Sequence, residues 1–315
     1  MPLKICLIGA GHMGKIHAQK LAEMKDVTLS CIVDADSVQA DEISRKHGVP
    51  GVCDHREVFN DGTRGAVIAA TTESHYPLAR ALLENGIHVF VEKPVAATPE
   101  QARELMELAK KCSLVLQVGH LERFSPSFRN ALRFIQDPHV IEAHRISSFT
   151  GRSTDIDVIH DLMIHDIDLT LSIAKGKVSR IWAQGMAVLT ENIDIANARI
   201  EFDNGCRATL TASRVSNTKE RLFRVIEKNG YVSLNLAAGK MFFASRDNQG
   251  KFKTSTYTAA HPDPVKNELR DFVGAIRKKR EPIVDGKDGL DALVVANSIK
   301  ECIEHRLAEK ELTSI

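Results

Sequence analysis

No two cysteines of the chain stand at CxxC spacing: Cys6, Cys31, Cys53, Cys112, Cys206 and Cys302 are scattered along it. That argues against both a zinc framework and a disulfide-stapled scaffold. Most of these thiols sit in apolar runs, where a reduced cysteine behaves as a small hydrophobe. A charge excess of one sign is also missing: 42 Lys and Arg against 41 Asp and Glu leave a net charge of +1. Nothing global therefore draws the chain to nucleic acid or to an anionic membrane. No apolar window approaches the length of a membrane span. No basic stretch with a hydrophobic run and cleavage site precedes the strand-like Leu3–Gly9. Internal repeats and low-complexity linkers are absent as well. These absences lead to the expectation of a cytoplasmic protein in a reducing compartment, with neither nucleic acid nor membrane as partner.

What is present is the mix of a globular protein, with 43% hydrophobic and 26% charged residues. A chain of 315 residues suits two domains, each able to bury its own core. Over the first 120 residues, short runs rich in Val, Ile and Leu (Leu3–Ile8, Val27–Val33, Ala66–Ala70, Val89–Val91, Leu114–Val118) alternate with amphipathic stretches. Near-continuous apolar strands of this kind belong to a parallel sheet covered on both faces. One helix opens at Thr98-Pro99-Glu100-Gln101 with a Thr cap, a first-turn Pro and a capping-box Gln. The expectation for residues 1–120 is a doubly wound Rossmann domain.

Beyond residue 120 the pattern changes. A helix is expected from Ser125 through Phe134, a strand over Val140–Phe149 and one continuous helix over Val158–Ala174. A run of strands follows, with turn chemistry at Asn204-Gly205 and Asn229-Gly230. Two helices, over Pro264–Lys279 and Lys287–Arg306, end the chain. Residues 121–315 are thus expected to form an α/β domain with a large, mainly antiparallel open sheet, serving substrate binding and oligomerisation. Apolar residues alternate along Ile195–Phe202 and Ala208–Ala212, and an open sheet needs a partner for its uncovered face. A homodimer or homotetramer built by packing these sheets is the expected assembly.

Gly9-Ala10-Gly11-His12-Met13-Gly14 is a GxGxxG directly after the first strand and at the mouth of a helix. The first glycine permits the tight turn, the second lets the backbone approach a pyrophosphate, and the third allows close helix–strand packing. The helix N-terminus offers free N–H groups to the phosphates. Twenty residues after Gly14 stands Asp34, where a carboxylate accepts from adenosine ribose hydroxyls and repels a 2′-phosphate. Ala35, Asp36 and Ser37 follow, with no Arg or Lys, so NAD is expected rather than NADP. A second signal is Glu92-Lys93-Pro94 at a strand exit, where side chains face the ligand crevice and Pro fixes the turn that aims the lysine. The third is Asp161 through Asp168, in which Asp161 and His165 lie one helical turn apart. A carboxylate there orients an imidazole for acid–base work, although the same spacing also makes a plain helix-stabilising pair. No cysteine or second histidine stands at ligand spacing and His160 points elsewhere on the helix, so no metal is expected.

Taken together, the Gly9–Gly14 loop, Thr71-Thr72-Glu73-Ser74-His75, Glu92-Lys93-Pro94, Arg123-Phe124 and Asp161–Asp168 resemble the glucose–fructose oxidoreductase/inositol dehydrogenase/MocA family along essentially the whole chain. Where many relatives carry a proline, this chain carries Thr71-Thr72. The resemblance implies that Lys93, His165 and Asp161 form the catalytic group. It also implies that the cofactor is contacted by Gly9, Gly11, His12, Met13, Gly14, Asp34, Thr71, Thr72, His75, Glu92 and Lys93. The segments Gly119–Phe124, Phe149–Arg152 and Thr211–Ser216 are most similar to the UDP-N-acetylglucosamine 3-dehydrogenase branch, linked to lipid A precursor synthesis. On that likeness Arg123, Arg152 and Arg214, with Lys93 and His165, are candidates for substrate binding, since a guanidinium meets a diphosphate bidentately. The implied reaction is oxidation of a sugar secondary alcohol by NAD in a cleft between the two domains, with Lys93 and His165 both candidates for the base. A dehydrogenase of free polyols such as inositol, or an NAD-binding regulator without turnover, are the alternatives.

Overall fold

The computed structural model describes residues 1–151, 156–247, 249–259 and 263–313. Six parallel strands form the first sheet: β1 (Leu3–Ile8), β2 (Val27–Val33), β3 (Gly51–Val52), β4 (Gly65–Ile68), β5 (His88–Glu92) and β6 (Leu116–Gly119). Their spatial order is β3-β2-β1-β4-β5-β6, so the strand order reverses direction at β1 and β4. In such sheets the ligand crevice opens at that switch point, beyond the carboxyl ends of the strands. Crossovers are made by α1 (His12–Ala22), α2 (Ser37–His47), α3 (Thr72–Glu84) and α4 (Pro99–Cys112). The Thr cap and first-turn Pro read from sequence are in place, with Thr98 Oγ1 accepting from the Gln101 N–H at 3.3 Å, while Gln101 Oε1 accepts from the Ala97 N–H at 3.2 Å rather than from that of Thr98. Strands β4, β5 and β6 are buried at every position, as a sheet covered on both faces requires.

The chain falls into two compact units, Met1–Leu121 with Asp263–Leu290, and Glu122–Pro262 with Asp291–Ile315. A single cut at 120/121 does not contain this return of the chain. Helix α7 (Pro264–Lys278) packs Leu269, Phe272 and Val273 into the same core as Ile5, Leu7 and Phe90. Gly65 leaves room for this: a Cβ there would lie 3.3 Å from the Phe272 ring, a tight contact.

The second unit carries an eight-stranded sheet of order β14-β13-β12-β11-β7-β10-β9-β8. Its strands are β7 (Val140–Ile146), β8 (Val178–Met186), β9 (Ile195–Phe202), β10 (Arg207–Ser213), β11 (Glu220–Glu227), β12 (Gly230–Asn235), β13 (Lys240–Arg246) and β14 (Phe252–Thr258). All neighbours are antiparallel except β7 and β10. Both expected reversals occur, at Asn204-Gly205 between β9 and β10 and next to Gly230 between β11 and β12. Alternation decides which face is covered. Ala196, Ala198, Ile200 and Phe202 of β9, with Ala208, Leu210 and Ala212 of β10, point into a core shared with Phe128, Ile164, Ile167 and Ile299. The apolar phase of these strands is thus consumed by the chain's own helices. The opposite phase carries Asn197, Arg199 and Glu201, and Trp182 with the guanidinium groups of Arg180 and Arg199 at 5.1 and 5.7 Å from its ring.

Three elements depart from expectation. Helix α5 covers only Pro126–Ala131, and β7 ends at Ile146. The stretch read as one helix from Val158 is a π-helical turn, Ile159–Met163, followed by α6, Ile164–Ala174. The last helix, α8, runs Gly286–Thr313. Among the described residues no helix is long and apolar enough to cross a membrane.

Candidate active site

Gly9 leaves β1 with φ of +99°, and a Cβ there would sit 2.4 Å from the Ala69 carbonyl oxygen. At Gly14 a Cβ would stand 1.9 Å from the Gly9 carbonyl oxygen, so helix and loop touch backbone to backbone. Gly11 differs, because a Cβ there meets nothing within 4 Å. It caps α1 with no side-chain cap bond and no acidic residue in the first turn, which leaves the N–H groups around exposed His12 and half-buried Met13 for an anion. The Asp34 carboxylate, one residue beyond β2, accepts from the Ala10 N–H at 2.6 Å and the Asp36 N–H at 2.9 Å. It ties the glycine loop to the second strand and keeps further lone pairs for a ribose. Gly9, Gly11, Asp34 and Thr71 line one cavity of about 700 Å³, together with Gln39, Cys53, His55 and Ser74. This cradle, with free space beside Gly11 and a carboxylate at Asp34, fits the adenosine and diphosphate of NAD.

Thr72 begins α3, whereas His75, one turn further on, is 1% exposed. The His75 ring spans two main-chain carbonyls, Nδ1 at 2.8 Å from Pro94 and Nε2 at 3.1 Å from Ala70. Burial lowers its pKa, outweighing the hydrogen bonds and carboxylates that raise it. His75 therefore braces the exit of β4 against the turn that follows Lys93. Glu92, at the end of β5, is likewise buried. Its Oε1 accepts from His17 Nε2 at 2.7 Å and its Oε2 from the Lys93 N–H at 3.3 Å. Burial pushes the Glu92 carboxyl up, but the His17 hydrogen bond and charge and the charge of Lys93 bring it below the ordinary value. Lys93 itself is half-buried and precedes Pro94 through a cis peptide bond.

In the second unit, the π-helical turn is anchored by Asp157, whose Oδ1 accepts from the Ile159 and His160 N–H groups at 3.0 and 2.9 Å. Its carboxyl is held at about 2: burial opposes ionisation, but the His160 hydrogen bond and charge, the backbone and Lys300 prevail. His160 turns to Asp157 and to Asn297 Oδ1, at 2.7 Å from its Nε2, so it serves structure, away from the Asp161–His165 face. Asp161 lies in the π-helical turn and His165 in the first turn of α6, both half-buried.

The neighbours of His165 build a buried charge network. Arg145 donates to both oxygens of Asp166, at 3.0 and 2.9 Å, and to Glu122 Oε1 at 3.0 Å, with Arg221 3.6 Å from the same Glu122 oxygen. Asp168 is 2% exposed and sits 3.5 Å from Arg123 Nε. Burial raises its carboxyl to about 7 against the pull of Arg123. Of the three arginines read as substrate ligands, Arg123 thus faces Asp168. Arg214 is 5% exposed, 3.6 Å from Asp194, and donates to the Ile156 carbonyl. Asp194 accepts from the N–H groups of Val188, Leu189 and Thr190, which fixes that loop. Arg152 lies outside the described residues.

Sequence reasoning missed Arg145 and His17, yet both had a signature. Arg145 continues the inward phase of Ile141 and Ala143, and His17 shares the buried face of α1 with Gly14, Ala18 and Leu21. A polar residue on an apolar phase must find a partner there. Gln39, Cys53 and His55 reach the cavity from segments with no motif, and β3 is too short for periodicity to reveal.

Residues 3–120 match the model of an oxidoreductase family with an NAD-binding Rossmann fold, and residues 133–233 match the GFO/IDH/MocA C-terminal domain. The chain is 30% identical to the UDP-N-acetylglucosamine 3-dehydrogenase of Acidithiobacillus ferrooxidans over 95% of this chain and 96% of that one. A solved structure of that enzyme superposes with a TM-score of 0.91 at 29% identity, covering 97% and 99% of the two chains. The myo-inositol 2-dehydrogenase of Thermotoga maritima is 26% identical over 98% of each chain. With a glycine cradle and Asp34 suited to NAD, two matched domains and a relative similar from end to end, the chain belongs to the Gfo/Idh/MocA family of NAD-dependent oxidoreductases.

Proposed function

We propose that the chain oxidises a secondary hydroxyl of a nucleotide sugar to a ketone, the substrate being UDP-N-acetylglucosamine and the position its 3-hydroxyl. The observation that carries this reading is the likeness, along nearly all of both chains, to an enzyme of that name. NAD, when bound, supplies a hydride acceptor. The hydroxyl proton must leave as the hydride does, and Lys93 or His165 is the protein group that takes it. Glu92 holds the Lys93 main chain, so the reach of the ammonium stem starts from a fixed point. Asp161, next to the start of α6, orients the His165 imidazole and stabilises its charged form. A uridine diphosphate far from the reacting carbon would contribute binding energy that holds the ring in place, so its loss should lower kcat as well as raise KM.

A second reading, oxidation of an inositol or another free polyol, draws on the engagement of Arg123 with Asp168 and of Arg214 with Asp194. Those carboxylates compete with a diphosphate for the same guanidinium groups. The test is incubation of the protein and NAD with UDP-N-acetylglucosamine, with capture of the ketone by an amino donor and an aminotransferase, followed by mass spectrometry for the 3-amino sugar. Free N-acetylglucosamine and inositol are run beside it. Turnover of either at the rate of the nucleotide sugar would overturn the first reading in favour of the second. On the first reading, the enzyme stands in the cytoplasm ahead of an aminotransferase in lipid A precursor synthesis.

A further inference from the structure

Glu268 on α7 is 0% exposed, and neither of its carboxyl oxygens hydrogen-bonds to another described residue. Its main chain is fixed, because Gln117 Nε2 donates to the Glu268 carbonyl at 3.0 Å. One carboxyl oxygen of Glu268, one of Glu92 and a ring nitrogen of His17 all lie within 4.8 Å of one another, and all three residues are buried. Two carboxylates this close in an apolar interior do not both ionise. The donors decide which one keeps the charge. Glu92 accepts from His17 and from the Lys93 N–H, whereas Glu268 has no such donor. Burial first, and then the charge of Glu92, push the Glu268 carboxyl well above the usual range. The ionisable groups facing the pair are His17 from α1, Lys93 beyond β5, and His75 from α3, whose ring feels the charge of Glu92.

We propose that Glu268 is a neutral carboxylic acid in the folded protein and that its proton, directed at Glu92, fixes the carboxylate that holds Lys93. Glu268 is on this view a positioning residue, acting through Glu92 from a helix laid down after the whole second sheet. Its effect on turnover rests on the role assigned to Lys93 above; its protonation does not.

Infrared difference spectra of the full-length protein against Glu268→Gln at neutral pH should show a protonated carboxylic C=O band that the variant lacks. Absence of that band overturns the proposal, as does a stoichiometric divalent metal in the purified protein, because a cation would then neutralise the pair. Thermal unfolding from about pH 5.5 to about pH 9 gives an independent readout. The folded state binds this proton more tightly than the unfolded state. Native stability therefore falls as pH rises above the unfolded carboxyl value, by up to about tenfold in the folding equilibrium per pH unit. Glu268→Gln has no such proton, so its midpoint should gain on the native one as pH rises; a gap independent of pH refutes the idea. In turnover, Glu268→Leu should lose about tenfold to a hundredfold in kcat with little change in KM, and the Gln variant should restore most of it. Equal kcat in the native protein and the Leu variant removes the positioning role. Should no sugar be oxidised at all, the reading of Lys93 fails, while the infrared and thermal results still decide the protonation.

Discussion

The three glycines of the nucleotide loop allow cofactor binding to be separated from folding by single methyl groups. At Gly11 an added Cβ meets nothing within 4 Å, and the residue has φ −69° and ψ −162°, which alanine adopts freely. Replacing glycine lowers the entropy of the unfolded chain and favours folding by about 0.4–1 kcal/mol. Alanine is the poorer N-cap by a comparable amount, up to about 1 kcal/mol. The two offset, so Gly11→Ala should keep its thermal midpoint within about 4 °C of the native chain. A bound pyrophosphate approaches the backbone at this position, and the methyl group occupies that space. The expected loss in NAD affinity is about tenfold to a thousandfold, or about 1.4–4 kcal/mol. Gly14→Ala should do the reverse. Its Cβ would stand 1.9 Å from the Gly9 carbonyl oxygen and 2.9 Å from the carbon, both backbone atoms that cannot swing aside. Overpacking of that kind costs about 1–3 kcal/mol or more, which lowers the midpoint by about 2–12 °C. Calorimetric unfolding and NAD titration calorimetry on both variants make the comparison. A Gly11→Ala protein that binds NAD as tightly as the native one would show that the cradle is not where the phosphates lie.

Asp34→Ser should narrow the preference for NAD over NADP by removing the charge that repels a 2′-phosphate, measured as the ratio of kcat/KM with the two cofactors; equal efficiencies in the native enzyme would defeat the assignment. Lys93→Met and His165→Asn should each lower kcat by about a hundredfold or more with NAD still bound, and Asp161→Asn by less; near-normal turnover in His165→Asn would remove it from the proton path. Arg145→Met strips three hydrogen bonds from Asp166 and Glu122 and leaves both buried. That should cost about 3–5 kcal/mol in denaturant unfolding, with recovery when both carboxylates are also made apolar. Light scattering at micromolar concentration should give a dimer or tetramer joined through the open face of the eight-stranded sheet; a monomer mass would exclude that assembly.

The Rossmann half was legible because its signals are local. A glycine loop after one strand, a carboxylate after the next and a lysine between Glu92 and Pro94 lie at strand exits that hydrophobic runs locate by themselves. The same logic found the turns at Asn204-Gly205 and Gly230. What escaped was non-local. Periodicity does not distinguish a π-helical turn from an α-helical one over five residues, so Val158–Ala174 read as one helix. The ion pairs of Arg123 with Asp168 and of Arg214 with Asp194 had no sequence sign, because only the fold brings those partners together. Glu92 and His75 carried motif signals, but their burial against His17 and two carbonyls depends on helices packed from elsewhere in the chain.

The return of α7 to the first sheet bears on how this protein is made. The ring of Phe272 lies edge-on to Phe90 with centroids 6.0 Å apart, and Leu269 and Val273 join the same core. A nascent chain that has just released residues 1–121 therefore lacks a wall of its nucleotide-binding unit. The missing helix is synthesised only after the second sheet, a delay of roughly 7–30 s at bacterial and eukaryotic elongation rates. During that interval the ribosome holds a sheet whose Phe90 lacks its Phe272 neighbour. The unit that begins first is thus closed only after nearly all of the second has been synthesised, and a chaperone has time to shield it.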